Sequence, residues 1–223
     1  MNRRHFNALG LLASALGLSG PALAQATAQA AGTKSAKLPV VLVVGDSLSA
    51  EYGLRRGSGW VALLERQLNQ QKVRAQVVNA SISGDTTSGG RSRLPALLKQ
   101  HQPAVVVIEL GGNDALRGLP LSMTRDNLAH MARLSREAGS RVLLLGMEMP
   151  PNYGATYGQE FRAVFSGVAQ AEKAALVPFF LKGVGDLKDP TQLFQADRIH
   201  PNEAAQPIMR DNVWPELRKL LPR

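Results

Sequence analysis

The sequence predicts an α/β domain, a three-layer α/β/α sandwich with one parallel sheet of five strands between two helical layers. Three observations predict it. Short apolar, β-branched runs alternate along the chain with stretches of helical periodicity. These runs are nearly uninterrupted, as strands buried on both faces require. The first three each lead into a turn of small and polar residues: Gly45-Asp46-Ser47, Asn79-Ala80-Ser81-Ile82-Ser83-Gly84-Asp85 and Gly111-Gly112-Asn113-Asp114. Open parallel sheets bind ligands beyond the carboxyl ends of their strands, so these three turns point to one shared site.

Leu38–Val44 reads as the first strand, ended by Gly45. Trp60–Asn69 has its apolar residues (Trp60, Leu63, Leu64, Leu68) at helical spacing. Val73–Val78 is a second strand, and Leu94–His101 reads as the end of a second helix, entered through Pro95. Ala104–Leu110 is a third strand. Asn127–Ala138 is helical and closed by Gly139, a residue suited to a helix C-terminus. Arg141–Met147 is the fourth strand, Gln159–Ala175 a helix and Leu176–Phe180 a short fifth strand. From Asn202 to Leu221 the pattern is helical, and Pro207 and Pro215 predict a kink or two pieces.

The first 24 residues have the character of an export signal. Arg3 and Arg4 begin a charged start, an Ala/Gly/Leu-rich stretch runs to Leu18, and Ala22-Leu23-Ala24 offers small residues for cleavage. The stretch is too short for a spanning helix. Arg3-Arg4 with Phe6 resembles a twin-arginine signal, although no Lys follows Phe6; the general secretory route and an uncleaved anchor are the alternatives. Residues 25–37 lack large apolar side chains and read as a flexible tether, leaving 38–223 as one domain, exported to the periplasm or secreted.

The formal net charge of +9 reads as a generally basic, solvated surface that permits transient contact with an anionic membrane surface. No Lys/Arg run is interleaved with aromatics, so a nucleic-acid partner is not expected. Absence of cysteine excludes disulfides and thiolate catalysis. No phosphate loop or metal-ligand cluster is evident, and neither metal nor cofactor is expected.

The Gly45-Asp46-Ser47 turn sets a hydroxyl where a sheet meets solvent, the placement a nucleophile needs; a helix N-cap is the plain alternative. Only four histidines exist. His5 lies in the signal, His101 at a helix end and His130 mid-helix, which leaves His200 as the base. Asp197, three residues earlier, is close enough to bond one ring nitrogen and fix the tautomer. Asp46 reads as a turn or network residue. No Gly-x-Ser-x-Gly elbow is present, which argues against an α/β-hydrolase fold.

In their order along the chain, the Ser47, Gly84, Asn113 and Asp197/His200 segments resemble the four blocks of the SGNH (GDSL) hydrolases. The similarity is close to the bacterial periplasmic thioesterase/lysophospholipase/arylesterase branch, from about Pro39 to Leu221. That resemblance implies a flavodoxin-like strand order 2-1-3-4-5, with Ser47 and Asn113 facing each other across one crevice. It implies a Ser47-Asp197-His200 triad and an oxyanion hole made by the Ser47 backbone, Gly84 and Asn113. It also implies that the segment holding Leu116 and Leu119 lies beside the acyl group, with Met149 and Pro150 in a second wall. Arg117 is either a contact for a phosphate head group or a solvated cation. Glu51 stands where close relatives usually have glycine; its charge narrows the mouth, disfavours anionic substrates or only faces solvent.

The activity so implied is hydrolysis of acyl and aryl esters, lysophospholipids and acyl thioesters. Two other readings stay open: a carbohydrate esterase selective for acetyl groups, and a non-catalytic binding protein on a hydrolase scaffold.

Overall fold

Six consecutive buried residues, Val40–Gly45, form strand β1 at the centre of the sheet. In the computed structural model, which describes residues 38–222, strands alternate with helices, save that two helices follow the third strand. Helix α1 is Trp60–Gln70, β2 Gln76–Asn79, α2 Thr87–His101 and β3 Val105–Glu109. The short α3, Gly112–Leu116, precedes α4, Leu121–Glu137. Then come β4 Arg141–Leu145, α5 Ala155–Ala171, β5 Ala175–Val177 and α6 Gln206–Leu220. The expected export signal and tether lie outside the described residues.

All strand pairs are parallel and the order is β2-β1-β3-β4-β5, as the resemblance implies. Helices α1 and α6 pack together, and so do α2, α4 and α5, giving the two outer layers. β1 and β3 are buried along their whole length, whereas β2, at the sheet edge, is not. Trp60, Leu64, Phe161, Phe165 and Phe180 fill the space between helices and sheet with essentially no exposed surface. Each such side chain contributes about 1.5–3 kcal/mol by leaving water.

The structure moves several expected boundaries. Leu94–His101 does end helix α2, which starts at Thr87, where the Thr86 side chain caps it by accepting the Gly89 N–H. Pro95 therefore lies inside the helix, not at its entry. Helix α4 likewise begins six residues before Asn127, at Leu121. Helix α5 ends at Ala171, not Ala175: Lys173 takes a positive φ of 52° and the Ala174 N–H closes on Ala169 O, turning the chain into β5. The C-terminal segment does divide, into a 3-10 turn at Glu203–Ala205 and α6. Pro207 sits in the first turn of α6, where its missing N–H costs nothing. The sequence pattern did not indicate α3.

Candidate active site

Ser47 lies two residues beyond the end of β1. It does not cap a helix, since α1 begins only at Trp60; instead residues 47–53 form a run of turns, with the Ala50 N–H bonded to Asp46 O at 2.9 Å. The turn must pass close to the neighbouring strand. A Cβ at Gly45 would stand 2.7 Å from Glu109 Oε2 and 2.8 Å from Ser49 Oγ, so only glycine fits.

His200 and Asp197 come from a loop far along the chain. Phe194 pairs with Pro201 in an antiparallel bridge, and the Gln195 N–H bonds His200 O at 2.7 Å, which closes the loop at its base. Within it Arg198 takes a positive φ of 58°. That tight turn lets Asp197 Oδ1 accept the N–H groups of Ile199 (2.9 Å) and His200 (3.0 Å). Its other oxygen, Oδ2, is 2.6 Å from His200 Nδ1. The backbone bond from His200, then that from Ile199, holds the Asp197 carboxyl down at about 2, so it is ionised throughout the working range. His200 Nε2 lies 2.9 Å from Ser47 Oγ. Three side chains expected to converge thus form one continuous hydrogen-bonded row. Gln195 Nε2 bonds Tyr52 O at 2.9 Å, tying this loop to the nucleophile turn.

Asn113, in α3, points its Nδ2 at Asp46 Oδ2 and at the Asp85 carbonyl, both at 2.9 Å. Gly84 has a φ of 78°, the left-handed region that lets the exposed turn swing back toward β1. Among the described residues, neither the Ser47 nor the Gly84 N–H donates to a protein acceptor. Arg117 reaches across to bond Gly84 O at 2.7 Å. Leu116, the last residue of α3, is exposed, Leu119 and Met149 are half-buried and Pro150 is exposed, in the segments that follow β3 and β4.

Several residues at the site were not singled out from the sequence. Arg93, from α2, bonds Asp85 at 2.8 Å, the Gly45 carbonyl at 3.3 Å and the Ala80 carbonyl, so it joins two of the turns that build the site. Asn79 Nδ2 bonds Ser49 O at 2.7 Å and links the same two turns. Glu109, buried at the end of β3, accepts the Ser49 hydroxyl at 2.7 Å. Tyr52, Ile82, Tyr153 and Ile199 are large apolar side chains left exposed at this end of the sheet. Glu51 is tied to its own loop: its two carboxylate oxygens accept the Gly57 and Gly59 N–H groups at 2.9 and 2.8 Å.

A hydroxyl, an imidazole and a carboxylate in this row, with amide donors beside the hydroxyl, are the groups needed to transfer an acyl group to serine. Residues 43–207 match the model of the GDSL-like lipase/acylhydrolase family. The chain belongs to that family. The esterase TesA of Pseudomonas aeruginosa is 54% identical to this family member over 189 residues, spanning 85% of this chain and 92% of the relative. The "Thioesterase 1/protease 1/lysophospholipase L1" of Escherichia coli is 42% identical over 188 residues, or 84% and 88% of the two chains. A crystal structure of TesA superposes with a TM-score of 0.79 at 55% identity, covering 82% of this chain and 99% of that one.

Proposed function

We propose that Ser47, His200 and Asp197 act as nucleophile, base and orienting carboxylate in the cleavage of acyl esters. The chain is an ester-hydrolysing enzyme of the GDSL-like family, with activity on esters, thioesters and lysophospholipids. The observation that carries the catalytic assignment is the row Asp197–His200–Ser47, with separations of 2.6 and 2.9 Å.

The chemistry follows from that row. An ionised Asp197 keeps a proton on His200 Nδ1, which leaves a lone pair on Nε2. As Ser47 Oγ attacks the acyl carbonyl, Nε2 takes its proton and the carbonyl oxygen becomes an oxyanion. The N–H groups of Ser47 and Gly84, with Asn113 Nδ2, receive that charge. Both Asn113 N–H bonds have acceptors at rest, and the oxyanion, a stronger acceptor than a neutral carbonyl, draws one from Asp85 O. Imidazolium then protonates the departing alkoxide, phenolate or thiolate. Water, deprotonated by Nε2, cleaves the acyl-Ser47 ester and regenerates the hydroxyl. No cofactor enters any step.

The exposed apolar side chains Tyr52, Ile82, Leu116, Tyr153 and Ile199 favour a hydrocarbon acyl chain over a bare acetyl group on a polar polymer. Leu116, Leu119, Met149 and Pro150 belong to the same acyl-binding walls. The substrate is a small acyl ester or lysolipid, met by an exported enzyme in the periplasm or outside the cell. A panel of esters graded by acyl length, with phenolate, choline-lysolipid and thioester leaving groups, tests this beside Ser47→Ala. Turnover should rise beyond acetyl and vanish in the variant. A strictly acetyl-selective profile would transfer the enzyme to the carbohydrate-esterase reading, and full turnover by Ser47→Ala would remove the serine mechanism.

A further inference from the structure

Glu109 is the one acid in β3, whose other residues are all Val or Ile, and it is buried. Its Oε2 accepts the Ser49 hydroxyl at 2.7 Å and the Asp46 N–H at 3.3 Å. Ser49 Oγ in turn accepts the Trp60 indole N–H at 3.1 Å. Among the described residues no cation bonds Glu109. Arg93, which reaches the same turn, directs its N–H groups at Asp85 and at the carbonyls of Ala80 and Gly45. The charged group acting on Glu109 is another carboxyl, Asp46. A buried carboxyl with neutral donors and an anion beside it keeps its proton. Burial, then the Asp46 charge, pushes Glu109 well above the usual carboxyl range.

Asp46 faces the other way. Its Oδ1 accepts the Leu48 N–H at 3.0 Å and its Oδ2 the Asn113 Nδ2–H at 2.9 Å. Burial raises its carboxyl to about 6 against the Leu48 N–H bond, which still leaves it ionised at neutral pH. Glu109 meets Asp46 through the Asp46 N–H, and two anions so near each other out of water would repel strongly, so one proton serves the pair. A chain of hydrogen bonds thus runs from the core indole of Trp60 through Ser49, Glu109 and Asp46 to Asn113.

We propose that Glu109 is a positioning residue that works by remaining protonated: its neutral carboxyl holds the Ser49 hydroxyl and the Asp46 N–H, and Asp46 so held fixes one Asn113 N–H and aims the other at the oxyanion. The proposal rests on the reading of Asn113 as an oxyanion donor. It separates two roles that look alike in a sequence, one acid holding a proton and its neighbour holding a charge.

The test compares Glu109→Ala with Glu109→Gln, a neutral side chain of the same shape that still carries an N–H donor. Glu109→Ala should lose roughly tenfold or more in kcat with little change in KM, and Glu109→Gln should restore most of that at neutral pH. Wild-type kcat should fall at alkaline pH as Glu109 ionises, and Glu109→Gln should lack that fall. A folded Glu109→Gln as impaired as Glu109→Ala, or one that keeps the alkaline fall, would overturn the proposal. A second measurement needs no variant. Infrared spectra of wild-type protein labelled with carbon-13 at glutamate carboxyls should show a carboxylic-acid C=O band at neutral pH that disappears over the alkaline fall. Absence of that band would overturn the proposal by itself. Full turnover by Asn113→Ala would instead remove the underlying oxyanion reading, with the infrared band left intact.

Discussion

The Tyr52 ring lies against the His200 imidazole, with 4.4 Å between centroids and 39° between planes. This contact limits rotation of the imidazole on the side that Asp197 does not hold. Tyr52 is itself anchored, through its carbonyl, by Gln195. Tyr52→Ala should therefore lower kcat by about three- to tenfold, since a small loss of aim is costly in a proton transfer. Tyr52→Phe, which keeps the ring, should retain most of the rate. Steady-state kinetics on one chromogenic ester distinguish the two.

Asn113→Ala removes the side-chain donor proposed for the oxyanion. Losing one such donor typically costs about 3 kcal/mol of transition-state stabilisation, a hundredfold or more in kcat. KM and the far-ultraviolet circular dichroism should stay near wild type. An unchanged turnover number would take Asn113 out of the oxyanion hole.

Asp46 makes stability depend on pH in a stated direction. Burial raises its carboxyl from 3.8 to about 6, outweighing the Leu48 N–H bond that opposes it. The folded chain therefore binds this proton more tightly than the unfolded one. The resulting stabilisation is complete below about pH 3.8 and is lost as pH rises through about 6. A shift of that size corresponds to about 3 kcal/mol. Asp46→Asn does not titrate, so wild type should lose stability relative to this variant between pH 4 and pH 7, by thermal or urea unfolding. A difference independent of pH would contradict the assignment.

Glu51 holds a positive φ of 60°, a conformation that favours glycine, and offsets it with the two bonds to Gly57 and Gly59. Glu51→Ala keeps the unfavourable φ and loses both bonds, at a cost of about 1–2 kcal/mol in unfolding free energy. Glu51→Gly should lose less, because it relieves the φ. In both variants kcat should stay near wild type, since the carboxylate faces its own loop.

The central strands were legible in the sequence because Val40–Gly45 and Val105–Glu109 are buried on both faces and so are written almost wholly in apolar residues. The start of α2 was not. Thr86, Gly89 and Gly90 look like more of the preceding turn, and only the bond from the Gly89 N–H to the Thr86 hydroxyl reveals a cap. Ser47, Asp197 and His200, which the fold brings into one hydrogen-bonded row, could be proposed from the sequence because a turn after a strand, a short Asp-to-His spacing and a small number of histidines are all local or countable. Glu109 was hidden inside an apolar run and read simply as strand. The usable signal was there, since an acid in a strand buried on both faces needs a partner. Arg93 and Tyr52 gave no such signal: their partners lie in other segments, and only the folded chain brings them together.

The most direct measurement is the site and dependence of labelling by a fluorophosphonate, which phosphonylates a serine only when a base activates it. One adduct per chain, mapped to Ser47 by peptide mass and reduced a thousandfold or so in His200→Ala, is the expected result. A folded wild-type protein that takes no label at Ser47, or takes it as fast without His200, would contradict the account.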